Sequence, residues 1–162
     1  MHRMKLNVIA FIVIILLFVG GLLWWSARVA TPQAETMWPG TDIACLPNGH
    51  ANVARHIHPT LKMFVQGQEI PIRANIGVSE TCMAEIHTHD TSGAIHIETT
   101  DTETTHTIGD LFAILGEEME REGFTLTATL NGEVIDNIAS HPLQEDDEVV
   151  LSYEVTEIVD GE

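Results

Sequence analysis

Residues 6–25 (LNVIAFIVIILLFVGGLLWW) form an apolar run whose only polar side chain is Asn7 and which carries no charge. In a helix rising 1.5 Å per residue, such a run spans a bilayer core of ~30 Å. The sequence therefore predicts a single transmembrane helix over 6–25. Arg3 and Lys5 precede it, and Trp24 and Trp25 stand at its far end. The positive-inside rule and the aromatic belt then leave residues 1–5 as a cytoplasmic tail and put the remainder on the outer face of the cell membrane. The competing reading is a cleaved signal peptide. Its apolar region would be only ~7–15 residues long, and a cut after Ala30 would set Arg28 where a small residue is wanted.

Residues 26–44 mix Pro, Gly, Thr and Ala without helical or strand periodicity, the pattern of a linker, and a single exported domain is expected over 45–157. All 24 acidic residues lie after residue 31 against only Arg55, Lys62, Arg73 and Arg121, which leaves this part at −20 with histidine neutral. Such a surface repels phosphate backbones, so no nucleic acid partner is expected, and it draws cations toward the domain. Cys45 and Cys82 are the only cysteines. Outside the cytoplasm two such thiols are expected to form a disulfide, with thiolate metal ligation as the alternative.

Within the domain, Leu61, Met63 and Val65 alternate with polar neighbours, and Gln66-Gly67-Gln68 turns the chain into EIPIRANIGV, so residues 60–78 read as a hairpin. Pro71, which has no N–H to donate, sets its second strand at an edge. A second hairpin is written in AEIHTHDTSGAIHIE, turned by Asp90-Thr91-Ser92-Gly93, and residues 99–106 read as a solvated polar loop. Thr107 and Asp110 match a capping box. Ile108, Leu111, Phe112, Leu115 and Met119 then recur at helical spacing, predicting one amphipathic helix over 108–122, ended by Gly123. FTLTATL, the Asn131-Gly132 turn and EVVLSYEV supply further strands.

This order predicts an α+β domain, one helix on a mixed, β-rich sheet, as in a β-grasp. The ending NGEVIDNIASHPLQEDDEVVLSYE is similar to the tail of ubiquitin-like sulfur carriers. Those end in Gly-Gly, whereas this chain reads Asp160-Gly161-Glu162, so thiocarboxylate transfer is not expected.

Of nine histidines, His50, His56, His58, His87, His89 and His96 fall within residues 50–96. Two pairs are His-x-His, the spacing that places both rings on one face of a strand. In the second hairpin, paired positions sum to 183 for either a two- or a four-residue turn. His87 then faces His96, His89 faces Ala94 and Glu85 faces Glu98, with Cβ atoms ~4.5–5.5 Å apart. His87, His89, His96, Glu85 and Glu98 share one face, and Ile86, Ile95 and Ile97 the other.

Clustered imidazoles repel once protonated, whereas Zn²⁺ or Cu²⁺ takes their neutral nitrogens directly. His87, His89 and His96 are therefore candidate metal ligands, and Ala94 leaves room for an ion. His56 and His58 complete the set if their strand packs beside the hairpin. Asp90, Glu85 and Glu98 are candidates to accept the outer N–H of a ligating ring, although Asp90 also suits a turn cap. His2, His106 and His141 read as surface histidines, and His50 is unassigned. Met83, beside Cys82, is a soft thioether that tilts the choice slightly toward copper over zinc.

Taken together, H-I-H-P-T-L, I-P-I-R-A-N-I-G-V, the cysteine, I-H-T-H-D-T-S-G-A-I-H-I-E and the L-F-A-I-L-G helix resemble a family of small exported or membrane-tethered microbial proteins of uncharacterised function. The resemblance covers about residues 45–155 and implies a shared domain but no activity. Three functions are weighed: a membrane-tethered copper- or zinc-binding module without turnover; a tris-histidine metalloenzyme of the zinc hydratase or hydrolase type, with Glu85, Glu98 or Asp90 moving the proton; and an adhesion or assembly domain that holds no metal. The first fits the anchor, the acidic surface and the clustered histidines together.

Overall fold

The structure, a computed structural model, describes residues 37–156. The segment 6–25 expected to cross the membrane lies outside the described residues, and among those described no helix is long and apolar enough to do so. The domain is sheet-rich with one α-helix, an α+β arrangement. Its strands are β1 (Pro47–His50), β2 (Arg55–Ile57), β3 (Thr60–Val65), β4 (Gln68–Ile70), β5 (Ile86–His87) and β6 (His96–Thr99). After helix α1 (Ile108–Leu115) come β7 (Phe124–Leu130), β8 (Glu133–Val134), a 3-10 turn at Ile138–Ser140 and β9 (Glu148–Val155).

Five strands form a mixed sheet in the order β4-β3-β9-β7-β8. At its centre β3 and β9 run parallel, with Leu61 beside Val149 and Met63 beside Leu151. Period-two burial explains why these segments are strands: along β9, Val149, Leu151 and Tyr153 are fully buried while the residues between them are not. The turns on either side have the chemistry their backbone demands. Gln66-Gly67 and Asn131-Gly132 all have positive φ, the condition for a two-residue hairpin whose twist matches its strands. β4 is an edge strand and stops at Ile70, immediately before Pro71, so the second arm of the 60–78 hairpin is much shorter than its apolar pattern suggested.

Helix α1 opens with the expected capping box: Thr107 Oγ1 accepts from the Asp110 N–H, and the Asp110 carboxylate accepts from the Thr107 N–H. It ends earlier than expected. Gly116 takes a left-handed conformation with φ 72°, and the chain leaves the helix there, not at Gly123. Met119 is nonetheless buried, because the turn beyond the helix folds back and the Met119 carbonyl accepts the Tyr153 hydroxyl at 2.8 Å. Hydrophobic spacing that continued past Gly116 thus reflected a second visit to the core by a non-helical segment. Ile108, Leu111, Phe112 and Ile114 join Val149, Leu151 and Tyr153 in one apolar core.

A second sheet has three short strands, in the order β2-β6-β5. Ile57, Ile97 and Ile86 form one cross-strand row, and all three are buried in the same core. The two sheets are joined where Ala94 bridges to Thr60, the Leu61 N–H donates to the Gly93 carbonyl at 2.8 Å, and the Ile95 N–H donates to the Pro59 carbonyl at 2.9 Å. Gly93 is required there: its φ is 87°, and a Cβ would collide with the Leu61 carbonyl oxygen.

The fold also takes in part of the segment expected to be linker. Ile43 is in the core and Trp38 packs against it. Cys45 and Cys82 form a disulfide with Cα atoms 5.3 Å apart, so thiolate ligation is not open to them in this state. Around the bridge, Cys45 pairs with Ala84, the Leu46 N–H donates to the Met83 carbonyl, and the Glu85 N–H donates to the Ala44 carbonyl. These bonds fasten the chain entering β1 alongside the chain entering β5.

Candidate metal centre

Because the Ile57, Ile97 and Ile86 row faces the core, alternation along each strand sends the flanking residues to the opposite side of the small sheet. Those residues are His56 and His58 from β2 and its exit, His96 and Glu98 from β6, and His87 from β5, with His89 beyond it. The ladder pairs His87 with His96 and His56 with Glu98. The hairpin register expected from the turn is therefore the one observed where the two strands pair. It lasts only two residue pairs, since Ala94 leaves to bridge Thr60 and does not face His89.

On this face the imidazoles gather into two groups. His50, His87 and His89 form one and His56, His58 and His96 the other, the donor atoms of each group lying within 4.8 Å of one another. Within the first, His87 Nε2 and His89 Nε2 are 3.2 Å apart, and within the second, His56 Nε2 and His96 Nδ1 are 3.4 Å apart. With metal–nitrogen bonds of ~2.0–2.1 Å, two donors on one tetrahedral ion are about 3.4 Å apart, so both spacings suit a shared cation. The groups adjoin one another: the His89 and His96 ring centroids are 4.7 Å apart, and those of His87 and His96 5.4 Å.

His87 is the most constrained donor. It is fully buried, and its Nδ1–H donates to the Ala84 carbonyl at 2.9 Å. A carbonyl can only accept, so the proton belongs on Nδ1 and the Nε2 lone pair is left facing His89. Burial pushes the His87 pKa down to about 4, with the neighbouring His89 and His96 adding to the effect. His96 is also pushed below its usual range, first by burial and then by His89, His58 and His56. Both shifts favour the neutral ring, the form in which imidazole binds a metal.

Glu98 lies at the centre. It is fully buried, and its Oε1 is 2.7 Å from His50 Nδ1, 3.0 Å from His56 Nε2 and 3.9 Å from His96 Nδ1. Its Oε2 is buried without a hydrogen-bond partner among the described residues. Among the described residues the basic side chains within 4.0 Å of Glu98 are these three histidines alone, with no lysine or arginine. A carboxylate oxygen left in this condition carries an unmet desolvation cost, which a bound cation would offset. The donor set could thus hold a metal ion, both in the spacing of its nitrogens and in the unpartnered oxygen of its acid.

The other candidates are placed differently. Glu85 is on the histidine face by alternation but turns to His106, with Oε2 3.1 Å from Nε2. Asp90 is exposed, and its Oδ1 accepts the Ser92 N–H at 2.8 Å, closing the turn. His106, expected at the surface, is 6% exposed and held between Glu85 and Asp110. These hydrogen bonds outweigh burial, which alone would lower it, and hold its pKa up at about 9. His58 also faces Glu145, 3.7 Å away.

His50 is the residue that sequence reasoning left unassigned. It stands outside both His-x-His pairs, and it reaches the site because β1 is fastened beside β5 through the disulfide region. Its one sequence signal is proximity to the other five histidines. Comparison with family models, with curated proteins and with solved structures finds no match for the chain, so the reading of this centre rests on its geometry.

Proposed function

We propose that this domain is a transition-metal binding module, displayed on the outer face of the cell membrane by residues 6–25, which takes copper or zinc through its clustered histidines. The observation that carries the reading is Glu98: a fully buried carboxylate surrounded by imidazoles, with one oxygen that has no hydrogen-bond partner among the described residues. The −20 balance after residue 31 would concentrate cations near the site. The disulfide suits an oxidising compartment. Imidazole donors suit Zn²⁺ and Cu²⁺. The strand order, in which two hairpins flank a parallel central pair, supports a β-grasp-like core as the scaffold.

The test is metal analysis by inductively coupled plasma mass spectrometry on the full chain purified without a histidine tag, after exposure to Zn²⁺ or Cu²⁺ and exhaustive dialysis. Metal should remain bound in the parent, be greatly reduced in His87→Ala and be unaltered in His141→Ala, whose ring is remote in sequence from the cluster and absent from both groups. A parent that retains no metal would overturn the proposal. Equal retention by all three proteins would show binding elsewhere and overturn it as well. His106→Ala is unsuitable as a control, because His106 is part of a buried ion pair.

A further inference from the structure

Six imidazoles are more than one ion takes when its geometry is tetrahedral and built from three or four donors. Their arrangement suggests how they divide. His50 of β1, His87 of β5 and the nearby His89 make one set of three, and His56 of β2, the nearby His58 and His96 of β6 make the other. Each set contains one donor pair at the separation expected for neighbours on a single ion, 3.2 Å in the first and 3.4 Å in the second. No residue belongs to both.

The two sets meet at Glu98. Its Oε1 touches His50 of the first set and His56 of the second, at 2.7 and 3.0 Å. Glu98 also forms a compact group with His87 and His96, again one ring from each set. A carboxylate has two oxygens and about four lone-pair directions, so it can face two cations at once. Its unpartnered Oε2 leaves that capacity unspent. Resting on the metal-binding reading above, we infer that the centre holds two transition-metal ions side by side, one on His50, His87 and His89 and one on His56, His58 and His96, with Glu98 as the group they share.

A paired site makes a demand that a single site does not. Two divalent ions close together repel, and a shared anion at 0% exposure between them is the arrangement that reduces this repulsion. It also explains why an acid should be buried among imidazoles and away from every lysine and arginine contact in the described residues.

The inference is tested on the detergent-solubilised full chain, purified without a tag and loaded with Zn²⁺, by native mass spectrometry and elemental analysis. The parent should carry two zinc ions. His89→Ala and His58→Ala each alter an exposed ring, one from each set, and each should reduce the count to one; the double variant should bind none. Circular dichroism of the two single variants should match the parent. If the parent holds one ion and both single variants lose it, the two-ion inference falls while the metal-binding reading stands. A parent that binds no zinc and no copper overturns both. Two ions retained in either single variant would place an ion elsewhere and overturn the division proposed here. With Cu²⁺, the paramagnetic resonance spectrum should show dipolar broadening or splitting and a half-field transition from the neighbouring ion; two unbroadened signals of isolated copper would overturn their adjacency.

Discussion

Oε1 of Glu98 lies 2.7 Å from Nδ1 of His50, across 48 positions of sequence, and this contact ties β1 to the centre of the small sheet. Replacing the carboxylate with its neutral isostere isolates what the charge does. Glu98→Gln should leave the circular dichroism spectrum and the melting temperature of the metal-free domain close to the parent's. Affinity for Zn²⁺ should fall about 10–100-fold, the usual loss when a carboxylate that orients or neutralises a metal site is removed. Unchanged affinity in a competition assay would show that Glu98 has no part in binding.

His106 and Glu85 predict a pH dependence of stability. The ring's folded pKa of about 9 stands above its ordinary 6.5, so the folded chain binds this proton more tightly than the unfolded chain. The resulting stability is complete below pH 6.5 and is lost as pH rises through about 9. His106→Gln should therefore cost about 3 kcal/mol near pH 6, the order for breaking a buried ion pair. The difference from the parent should shrink toward pH 10. Denaturant titrations at pH 6, 8 and 10 measure it, and a gap that did not change with pH would refute the charged pair.

Reduction of the Cys45–Cys82 bridge should lower stability by up to about 4 kcal/mol, since it frees a loop of 37 residues in the unfolded chain. Zinc affinity should fall with it, because the bridge fastens the chain that delivers His50 beside the chain that delivers His87 and His89. Melting curves and zinc competition with and without a phosphine reductant read the two effects separately. If affinity held while the melting temperature dropped, His50 would not depend on the bridge for its position.

Gly93→Ala adds a single methyl group and should cost about 2–4 kcal/mol, combining a left-handed backbone with a collision against the Leu61 carbonyl. Gly132→Ala is the comparison: it shares the positive φ but has nothing nearby for a Cβ to strike. It should cost only about 1 kcal/mol. Equal losses measured by urea denaturation would mean that the contact joining the two sheets is not tight.

Much of the local structure could be read from residues taken a few at a time. The bounds of β7 and β9, the positive-φ turns at Gln66-Gly67 and Asn131-Gly132, and the capping box at Thr107 follow from alternation and hydrogen-bonding chemistry within one short segment. The pairing of His87 with His96 was legible for the same reason, because a tight turn sets the register of the strands it joins. Spacing alone misjudged α1, since Met119 reaches the core from a segment that is no longer helical once Gly116 has ended it.

What the sequence determined about the site is that His87, His89, His96, Glu85 and Glu98 share one face of the hairpin and that His56 and His58 share one face of their own strand, a consequence of the two-residue period of a strand. Only tertiary structure decided that β2 lies against β6, that His50 arrives from β1, and that Glu85 and His106 are withdrawn into a buried pair of their own. Each of these depends on contacts between segments 20 to 50 positions apart. Such contacts are selected by the packing of the whole core and by the Cys45–Cys82 bridge, which no local pattern of residues encodes.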